Sequence, residues 1–235
     1  MKGKLYLVPN ILGDSSTSNS IPVFNLEIIN SINFYIVENI RTARRFLSKC
    51  NISTKIDDLK FFVLNQHTNP NEIGEFLKPV YSGEHIGIIS EAGCPAVADP
   101  GSEIVRMAHE QDIEVIPLVG PSSIILALMA SGFNGQSFSF NGYLPVKQDE
   151  RNMKLKKDEN RSRNENQTQI YIETPYRNMH LFESMINTLN PDTRLCIAAD
   201  LTLETEFVKT KTIKQWKTIR PELNKRPAIF LFHCI

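Results

Sequence analysis

Residues 90–101 have the composition of a loop that holds a ligand through its main chain. The segment SEAGCPAVADPG contains two glycines and two prolines, so it can neither continue a strand nor begin a long helix. Its small residues let main-chain N–H and C=O groups approach a bound molecule closely. The apolar residues 86–89 before it predict a buried strand, and open α/β sheets bind ligands at the carboxyl ends of such strands. A tight structural turn is the alternative interpretation.

A second segment of this kind, Gly120-Pro121-Ser122-Ser123, follows the strand predicted over residues 115–119. The hydroxyl groups of Ser122 and Ser123 could donate hydrogen bonds to a ligand. They could equally cap the helix that the next residues predict. Within the first segment, Asp99 is expected to hold a turn through its side chain rather than to act on a substrate.

Two carboxylates, Glu38 and Glu173, each follow a predicted strand, and an arginine comes shortly after each of them. A carboxylate at a strand end is well placed to accept a proton as a general base. The arginines are Arg41 and Arg177, and a guanidinium group suits phosphate because it can donate two parallel hydrogen bonds. A salt bridge within each pair is the alternative.

Several classes of protein are disfavoured by what the chain lacks. The five histidines are dispersed, and no metal site is predicted. No run approaches the ~18 apolar residues of a membrane span, and the N-terminus has no signal-peptide core. The formal net charge of zero neither favours nor excludes a nucleic-acid partner, because local patches matter more. Scattered cysteines without paired spacing predict reduced thiols in a cytoplasmic protein: Cys50, Cys94, Cys196 and Cys234.

Strand and helix patterns alternate along the first half of the 235 residues. The short apolar runs predict strands over residues 5–8, 34–37, 61–64, 86–89 and 115–119. The amphipathic runs between them predict helices over residues 26–32, 40–49 and 73–77, and Ser102 is expected to cap one more helix. Such alternation predicts α/β architecture with a mainly parallel, doubly wound sheet.

The second half begins with a helix predicted over residues 124–131 and a strand over 137–143. Residues 146–169 are strongly polar and carry seven basic residues; a solvated linker or helix face is favoured, and a phosphate-contacting arm is the alternative. From residue 170 the alternation resumes, which predicts a second sheet. We therefore expect two α/β lobes, residues 1–119 and 120–235, with the ligand between them.

Six motifs occur along the chain in the order found in one known family. They are LYLVP, SEAGCPAVADPG, VGPSS, GYLP, YIETPYR and RPAIFLF. In these residues the chain resembles the tetrapyrrole methylases, the class III S-adenosylmethionine-dependent methyltransferases, over nearly its whole length. Within that family it is most similar to the enzymes that methylate ribose 2′-hydroxyls of small-subunit ribosomal RNA.

The resemblance implies a methyltransferase with the fold of that family, S-adenosylmethionine as cofactor, ribosomal RNA as substrate and a homodimer. Because a ribose hydroxyl is a poor nucleophile at neutral pH, a general base is expected. Glu38 and Glu173 are the candidates, with Arg41 and Arg177 binding the substrate. Cofactor contacts are expected from turns and strand ends at Pro9, Gly93, Cys94, Pro95, Val97, Ala98, Ser122, Ser123, Thr174 and Ala228.

The chain departs from the family pattern at three places. The family's Thr-Pro-Ile-Gly-Asn-Leu is Pro9-Asn10-Ile11-Leu12-Gly13-Asp14 here, and its Glu-Asp-Thr-Arg is Glu38-Asn39-Ile40-Arg41. Its Ala-Arg-Glu-Leu-Thr-Lys is AADLTL at residues 198–203, without the basic pair. Two alternatives therefore stay open: a methyltransferase for a small acceptor such as a tetrapyrrole, and a cofactor-binding module that has lost catalysis.

Overall fold

The computed structural model describes residues 2–65 and 67–234. They form two compact units, Met1–Ser122 and Ser123–Ile235. The division lies beside the boundary expected near Gly120. Each unit combines one five-stranded sheet with helices, so the predicted α/β architecture is confirmed.

The first unit is built on a parallel sheet with the strand order β3-β2-β4-β1-β5. Its strands are β1 (Leu5–Val8), β2 (Phe34–Val37), β3 (Lys60–Val63), β4 (Ile86–Ile89) and β5 (Val115–Pro117). In register, Val8 and Val37 both lie beside Ile89. Strands β1, β2 and β4 therefore end at the same level of the sheet, and the residues that follow them lie together.

Helices connect these strands and cover both faces of the sheet. They are α1 (Val23–Asn30), α2 (Ile40–Lys49), α3 (Pro70–Ile73), α4 (Lys78–Tyr81) and α5 (Gly101–Glu110), with 3₁₀ turns at Thr17–Asn19, Ile56–Asp58 and Gly74–Leu77. Successive residues of a strand point to opposite faces. Tyr6 and Tyr35 accordingly belong to one buried cluster and Leu5 and Ile36 to another, which is the doubly wound arrangement that the sequence predicts.

The start of α5 differs from the sequence prediction. Ser102 lies inside the helix, and the N-cap residue is Pro100, which has no side-chain hydroxyl to offer. The carboxylate of Asp99 accepts the Gly101 N–H at 2.7 Å instead. The expected serine cap is therefore wrong, because an acidic residue just before the helix already serves the free N–H group.

Gly120 lets the chain after β5 approach the end of β1. A Cβ atom at this position would lie 2.2 and 2.3 Å from the Pro9 ring atoms Cγ and Cβ, and a proline ring has little freedom to move. We expect Gly120→Ala to lower the free energy of unfolding by about 1–3 kcal/mol, measured by urea denaturation. Gly135→Ala is the matched control, since no atom lies within 4 Å of the added Cβ; an equal loss in both variants would contradict the steric explanation.

The second unit holds a mixed sheet with the order β6-β7-β10-β8-β9. Its strands are β6 (Phe138–Phe140), β7 (Thr168–Ile172), β8 (Arg194–Ala199), β9 (Phe207–Thr212) and β10 (Ala228–His233). Its helices are α6 (Ser123–Ser131), α7 (Gln148–Glu165), α8 (Asn178–Thr188) and α9 (Ile213–Trp216). Only the β6–β7 pairing is parallel; β7, β10, β8 and β9 pair antiparallel.

The polar segment 146–169 is a packed helix and strand rather than a linker. In α7 the carboxylate of Asp158 is buried, accepts a hydrogen bond from the Tyr171 hydroxyl at 2.7 Å and pairs with Lys154. Glu159 accepts hydrogen bonds from the Asn190 N–H at 2.7 Å and the Thr193 hydroxyl at 2.5 Å. The linker interpretation is therefore wrong, because these carboxylates fasten α7 to the second sheet and its connections. The helix-face interpretation given with it is confirmed, since most of the other residues of α7 are exposed.

The described residues offer neither a membrane-spanning helix nor a cluster of metal ligands. No helix in residues 2–65 and 67–234 has the length and apolar character needed to traverse a bilayer. Over the same ranges, no three His, Cys, Asp or Glu side chains are grouped as a metal ion would require.

Candidate functional site

Polar residues meet where β1, β2 and β4 end. Asn10, Glu38, Ser90 and Glu91 each lie one or two positions beyond one of these strands. We call this group the carboxyl edge of the first sheet. The parallel register places it on the side where ligands bind in open α/β sheets.

Asn10 joins two loops of the carboxyl edge. Its side chain is 2% exposed, and Nδ2 donates to the Ser90 oxygen at 3.0 Å and the Glu91 oxygen at 3.2 Å. Its main chain pairs with Gly93 in both directions, at 2.9 and 3.1 Å. The sequence reasoning did not single out this residue. The only available signal was a polar residue directly after a strand and a proline.

The loop 90–101 has an unusual backbone that its own hydrogen bonds hold in place. Gly93, Ala96 and Ala98 have φ values of +71°, +66° and +62°, and a left-handed conformation costs alanine roughly 1–2 kcal/mol. The Asp99 carboxylate accepts the Ala96 N–H at 2.9 Å as well as that of Gly101. The predicted turn-holding role of Asp99 is thus confirmed, because its carboxylate accepts main-chain N–H groups on both sides of the turn.

The predicted cofactor residues of the first unit divide into supporting and accessible groups. Pro9, Gly93 and Pro95 are buried, whereas Val97 and Ala98 are exposed. The exposed side chains of Val97 and Ala98 can therefore form an apolar wall against a ligand.

Two further predicted cofactor residues of the first unit are half-buried. The Cys94 thiol lies 3.4 Å from the Pro121 oxygen, and burial raises the pKa of this thiol, so it is a neutral donor at physiological pH. Ser122 is the last residue of the first unit and is also half-buried.

Glu38 is the half-buried carboxylate of the carboxyl edge. Burial raises its pKa above the usual glutamate range, and the nearby negative charges of Asp99 and Glu91 raise the pKa further. A hydrogen bond from the Glu91 main chain acts in the opposite direction and lowers the pKa in part. Glu38 borders an open pocket of about 540 Å³ together with Asn39, Asn65, His67, Glu91 and Pro100. A carboxylate with an elevated proton affinity, facing open space, is suited to accept a proton from a ligand.

The departure from the family pattern at Asn39 has a structural explanation. Asn39 is the N-cap of α2, and its Oδ1 accepts hydrogen bonds from the Arg41 N–H at 2.9 Å and the Thr42 N–H at 3.4 Å. Asparagine and aspartate cap helices about equally well. The exchange therefore removes a negative charge from the carboxyl edge but retains the cap.

The two predicted glutamate–arginine pairs differ in the structure. Arg41 is exposed and, within the described residues, its guanidinium group has no hydrogen bond or ion pair. Glu173, by contrast, is 5% exposed and pairs with Arg177, whose Nη2 and Nε lie 2.6 and 3.0 Å from Glu173 Oε1. The salt-bridge alternative thus holds for the second pair but not for the first.

The remaining predicted residues lie in the second unit. Ser123 begins α6, and Thr174 follows β7, where its N–H donates to Glu173 Oε1 at 2.7 Å. Ala228 begins β10, is buried and pairs with Ala199. The turn that contains Thr174 also joins the segment before β10, because the Lys225 N–H donates to the Pro175 oxygen at 3.1 Å.

One further ionic contact lies where the chain lacks the family's basic pair. Asp200 accepts hydrogen bonds from Arg226 Nε at 2.7 Å and Thr205 Oγ1 at 2.8 Å. Arg226 also donates to the Thr205 oxygen at 2.5 Å. This group orders the connection between β8 and β9, and the sequence reasoning missed it because its partners are 26 residues apart.

Curated relatives align with almost the whole chain. It is 32% identical over 232 residues to "Ribosomal RNA small subunit methyltransferase I" of Vibrio cholerae, covering 97% of this chain and 76% of the relative. The protein of the same name from Haemophilus influenzae is 30% identical, and the alignment covers 98% of this chain and 78% of that relative. That from Escherichia coli O157:H7 is 29% identical over 93% and 68%.

A solved structure supports the fold independently. Uroporphyrin-III-C-methyltransferase from Thermus thermophilus superposes with a TM-score of 0.59, covering 99% of this chain and 94% of its own, at 15% sequence identity. This likeness confirms the tetrapyrrole methylase fold expected from the motifs. A search against protein-family models found no match.

Proposed function

Because this chain belongs to the family of ribosomal RNA small subunit methyltransferase I, we propose that it methylates a ribose 2′-hydroxyl of small-subunit ribosomal RNA, with S-adenosylmethionine as donor. Its being a methyltransferase follows from the family. The assignment of the acceptor rests on one observation: over nearly its whole length the chain is similar to relatives that are named as methyltransferases of small-subunit ribosomal RNA.

The first unit offers a surface that fits S-adenosylmethionine. The loop 90–101 presents main-chain groups, and a Cβ atom on Gly93 would crowd Leu12 at 3.2 Å and the Pro121 oxygen at 3.3 Å. Beside it, Val97 and Ala98 expose small apolar side chains. We propose that Gly93, Cys94 and Pro95 position the amino-acid or ribose part. The contacts predicted for Ser122, Ser123, Thr174 and Ala228 stay predictions from the resemblance.

The cofactor supplies the methyl group in an already activated form, as a sulfonium, so the chain's task is mainly to align the acceptor and remove its proton. We propose Glu38 as the group that takes the proton from the 2′-hydroxyl. Its raised pKa brings its basicity closer to neutral pH, where a general base is most effective. Arg41, exposed in the first turn of α2 three residues after Glu38, would bind a phosphate of the RNA.

Glu173 is proposed as a positioning residue, in place of the catalytic role that the sequence suggested. One of its oxygens, Oε1, already accepts three hydrogen bonds, from Thr174 N–H and from Nε and Nη2 of Arg177. These three donors already occupy Oε1, so this oxygen is not available to reach a substrate hydroxyl. Glu173 holds the Arg177 guanidinium in one orientation, which suits substrate binding.

The proposal leads to a pH dependence. A base acts only when deprotonated, so kcat/KM should rise with a slope of about one on a logarithmic scale until the pH exceeds the raised pKa of Glu38, and then level off. Glu91→Gln removes one of the charges that raise this pKa and should move the rise to lower pH. A profile that is flat through the acid range, or unmoved by Glu91→Gln, would contradict the role of Glu38.

The transfer assay uses S-adenosylmethionine labelled in the methyl group, with small-subunit RNA, intact small subunits and uroporphyrinogen III as separate acceptors. Label in the RNA fraction supports the proposal. Label only in the tetrapyrrole supports the small-acceptor alternative. Binding of S-adenosylhomocysteine without methyl transfer to any acceptor supports the second alternative, a cofactor-binding module that has lost catalysis.

The family resemblance also leads us to propose a homodimer in the cytoplasm. Sedimentation equilibrium would test the dimer, because a mass equal to that of one 26.7 kDa chain would contradict it.

A further inference from the structure

A stripe of basic side chains runs along one face of α2. Arg41, Arg45 and Lys49 lie four residues apart, so they share a face of the helix. At 1.5 Å of rise per residue, consecutive members are about 6 Å apart along the axis. We call these residues the α2 stripe. Its first member lies in the first turn of α2, three residues after Glu38 in the sequence, and the helix leads away from the carboxyl edge.

The stripe differs from the other basic residue of the same helix in its partners. Arg44 forms an ion pair with Asp57. Arg41 and Arg45 are both exposed, and neither guanidinium group has a hydrogen bond or ion pair to any described residue. Two positive charges of one helix face are therefore available to an outside anion.

The third member, Lys49, has two partners, and its only ion-pair partner among the described residues is an exposed carboxylate. Its ammonium pairs with Asp14 and donates to the Ser15 oxygen at 3.1 Å. The Asp14 side chain is 94% exposed, and Lys49 above all, with Arg45, holds the pKa of this carboxyl below its usual range. The position of Asp14 thus favours a negatively charged group. Because exposed salt bridges contribute little free energy, an outside anion can displace Asp14 from Lys49 at a small cost.

A pocket of about 220 Å³ accompanies the stripe. It is lined by Leu12, Asp14, Thr42, Arg45, Phe46 and Lys49, among others. Glu91 of the carboxyl edge borders both this pocket and the one beside Glu38, so the two pockets adjoin at Glu91. The walls of the pocket along the stripe combine apolar side chains with the cations Arg45 and Lys49, and they also include the carboxylates Asp14 and Glu91. Sugar groups of an RNA strand would meet the apolar walls, and its phosphates would meet the two cations.

We propose that the α2 stripe binds consecutive phosphates of the RNA strand that flanks the acceptor nucleotide. Three cations about 6 Å apart extend over about 12 Å. A single phosphate group is too small to contact all three of them, so an oligonucleotide fits the stripe better than a small anion does. The inference rests on the proposed function and extends it. It adds Arg45 and Lys49 to the substrate-binding residues and sets the direction of the strand, away from Glu38 along α2.

The test compares Arg41→Gln, Arg45→Gln and the matched control Arg44→Gln, which removes the same charge from the same helix. Binding of a fluorescein-labelled single-stranded RNA is measured by anisotropy over a range of KCl concentrations. Each stripe variant should bind about tenfold more weakly at low salt. The slope of log K against log salt should fall by about 0.7 for each lost phosphate contact. Arg44→Gln should bind within about twofold of the wild type, and all three should bind S-adenosylhomocysteine normally.

Two negative outcomes are distinguishable in this design. If the wild type methylates small-subunit RNA but Arg45→Gln and Arg44→Gln bind RNA alike, the inference is wrong and the proposed function stands. If the wild type binds S-adenosylhomocysteine yet neither binds nor methylates RNA, the proposed function fails and this inference with it.

Discussion

Glu38→Gln is expected to slow methyl transfer by about 10²–10⁴-fold while changing the affinity for S-adenosylhomocysteine by less than about twofold. The amide has nearly the shape of the carboxylate but cannot take up the hydroxyl proton. Glu38 borders the open pocket at the carboxyl edge, where burial and the charges of Asp99 and Glu91 raise its pKa. Single-turnover assays with labelled donor would measure the rate constant, and calorimetry would measure binding.

The matched control for this variant is Glu91→Gln, which changes the same functional group in the same pocket. Glu91 is exposed and has no proposed role in proton transfer. At a pH above the raised pKa of Glu38, where this base is deprotonated in both proteins, Glu91→Gln should therefore retain most of the rate. Equal rates for wild type and Glu38→Gln under these conditions would remove Glu38 from the mechanism. The methyl acceptor would then need another base or none.

Replacing Asn10 should have the largest effect on the stability of the first unit. Asn10→Ala leaves the Ser90 and Glu91 oxygens without their donor and the Ile11 N–H without its acceptor. We expect a loss of about 2–4 kcal/mol in the free energy of unfolding. The affinity for S-adenosylhomocysteine should also fall, because the loop with Gly93 loses the Asn10 side-chain hydrogen bonds and keeps only its main-chain pairing to the end of β1.

A conservative replacement should not rescue this position. Asn10→Asp keeps the acceptor for Ile11 but turns a carboxylate oxygen toward two carbonyl oxygens in a buried place, so its loss should equal or exceed that of alanine. The control is Asn164→Ala, at an exposed position of α7, which should change stability by less than about 0.5 kcal/mol. A milder effect of Asn10→Asp than of Asn10→Ala in urea denaturation would contradict the donor role of Nδ2.

Local patterns determined the parts of the fold that the sequence predicted well. Helix α2 spans Ile40–Lys49 as predicted, because its apolar residues recur on one face and Asn39 supplies a cap. The first strands are short apolar runs that pair in parallel, as alternation with helices predicts. Helix α1 begins at Val23, ahead of the predicted residue 26, since Pro22 permits a helix to start directly after it.

Long-range partners explain what the sequence did not predict. The carboxylates of α7 are charged in the sequence, and charge favours a solvated segment; their partners Tyr171, Asn190 and Thr193 come later in the chain. Asn10 likewise acts through residues about 80 positions away. A single sequence without such pairings cannot distinguish a buried polar side chain from an exposed one.

The glutamate–arginine pairs show the same limit within the site. Glu173 and Arg177 are four residues apart and form an ion pair. Glu38 and Arg41 are three apart with the helix cap Asn39 between them, and Arg41 belongs to α2. The similar spacing therefore predicted where both pairs lie in the sequence. It did not predict that Glu173 is engaged in an ion pair whereas Glu38 has no arginine partner among the described residues.

Alkaline hydrolysis of the labelled RNA product tests the central claim most directly. Alkali cleaves RNA through the free 2′-hydroxyl, so a methylated ribose protects the phosphodiester that follows it. After incubation of small-subunit RNA with the wild-type protein and methyl-labelled S-adenosylmethionine, the proposal predicts label in alkali-resistant dinucleotides. At equal, short incubation times Glu38→Gln should give at least about 100-fold less of this label. Label released entirely in mononucleotides would show that a base is methylated, and would contradict the assignment of the ribose 2′-hydroxyl as acceptor.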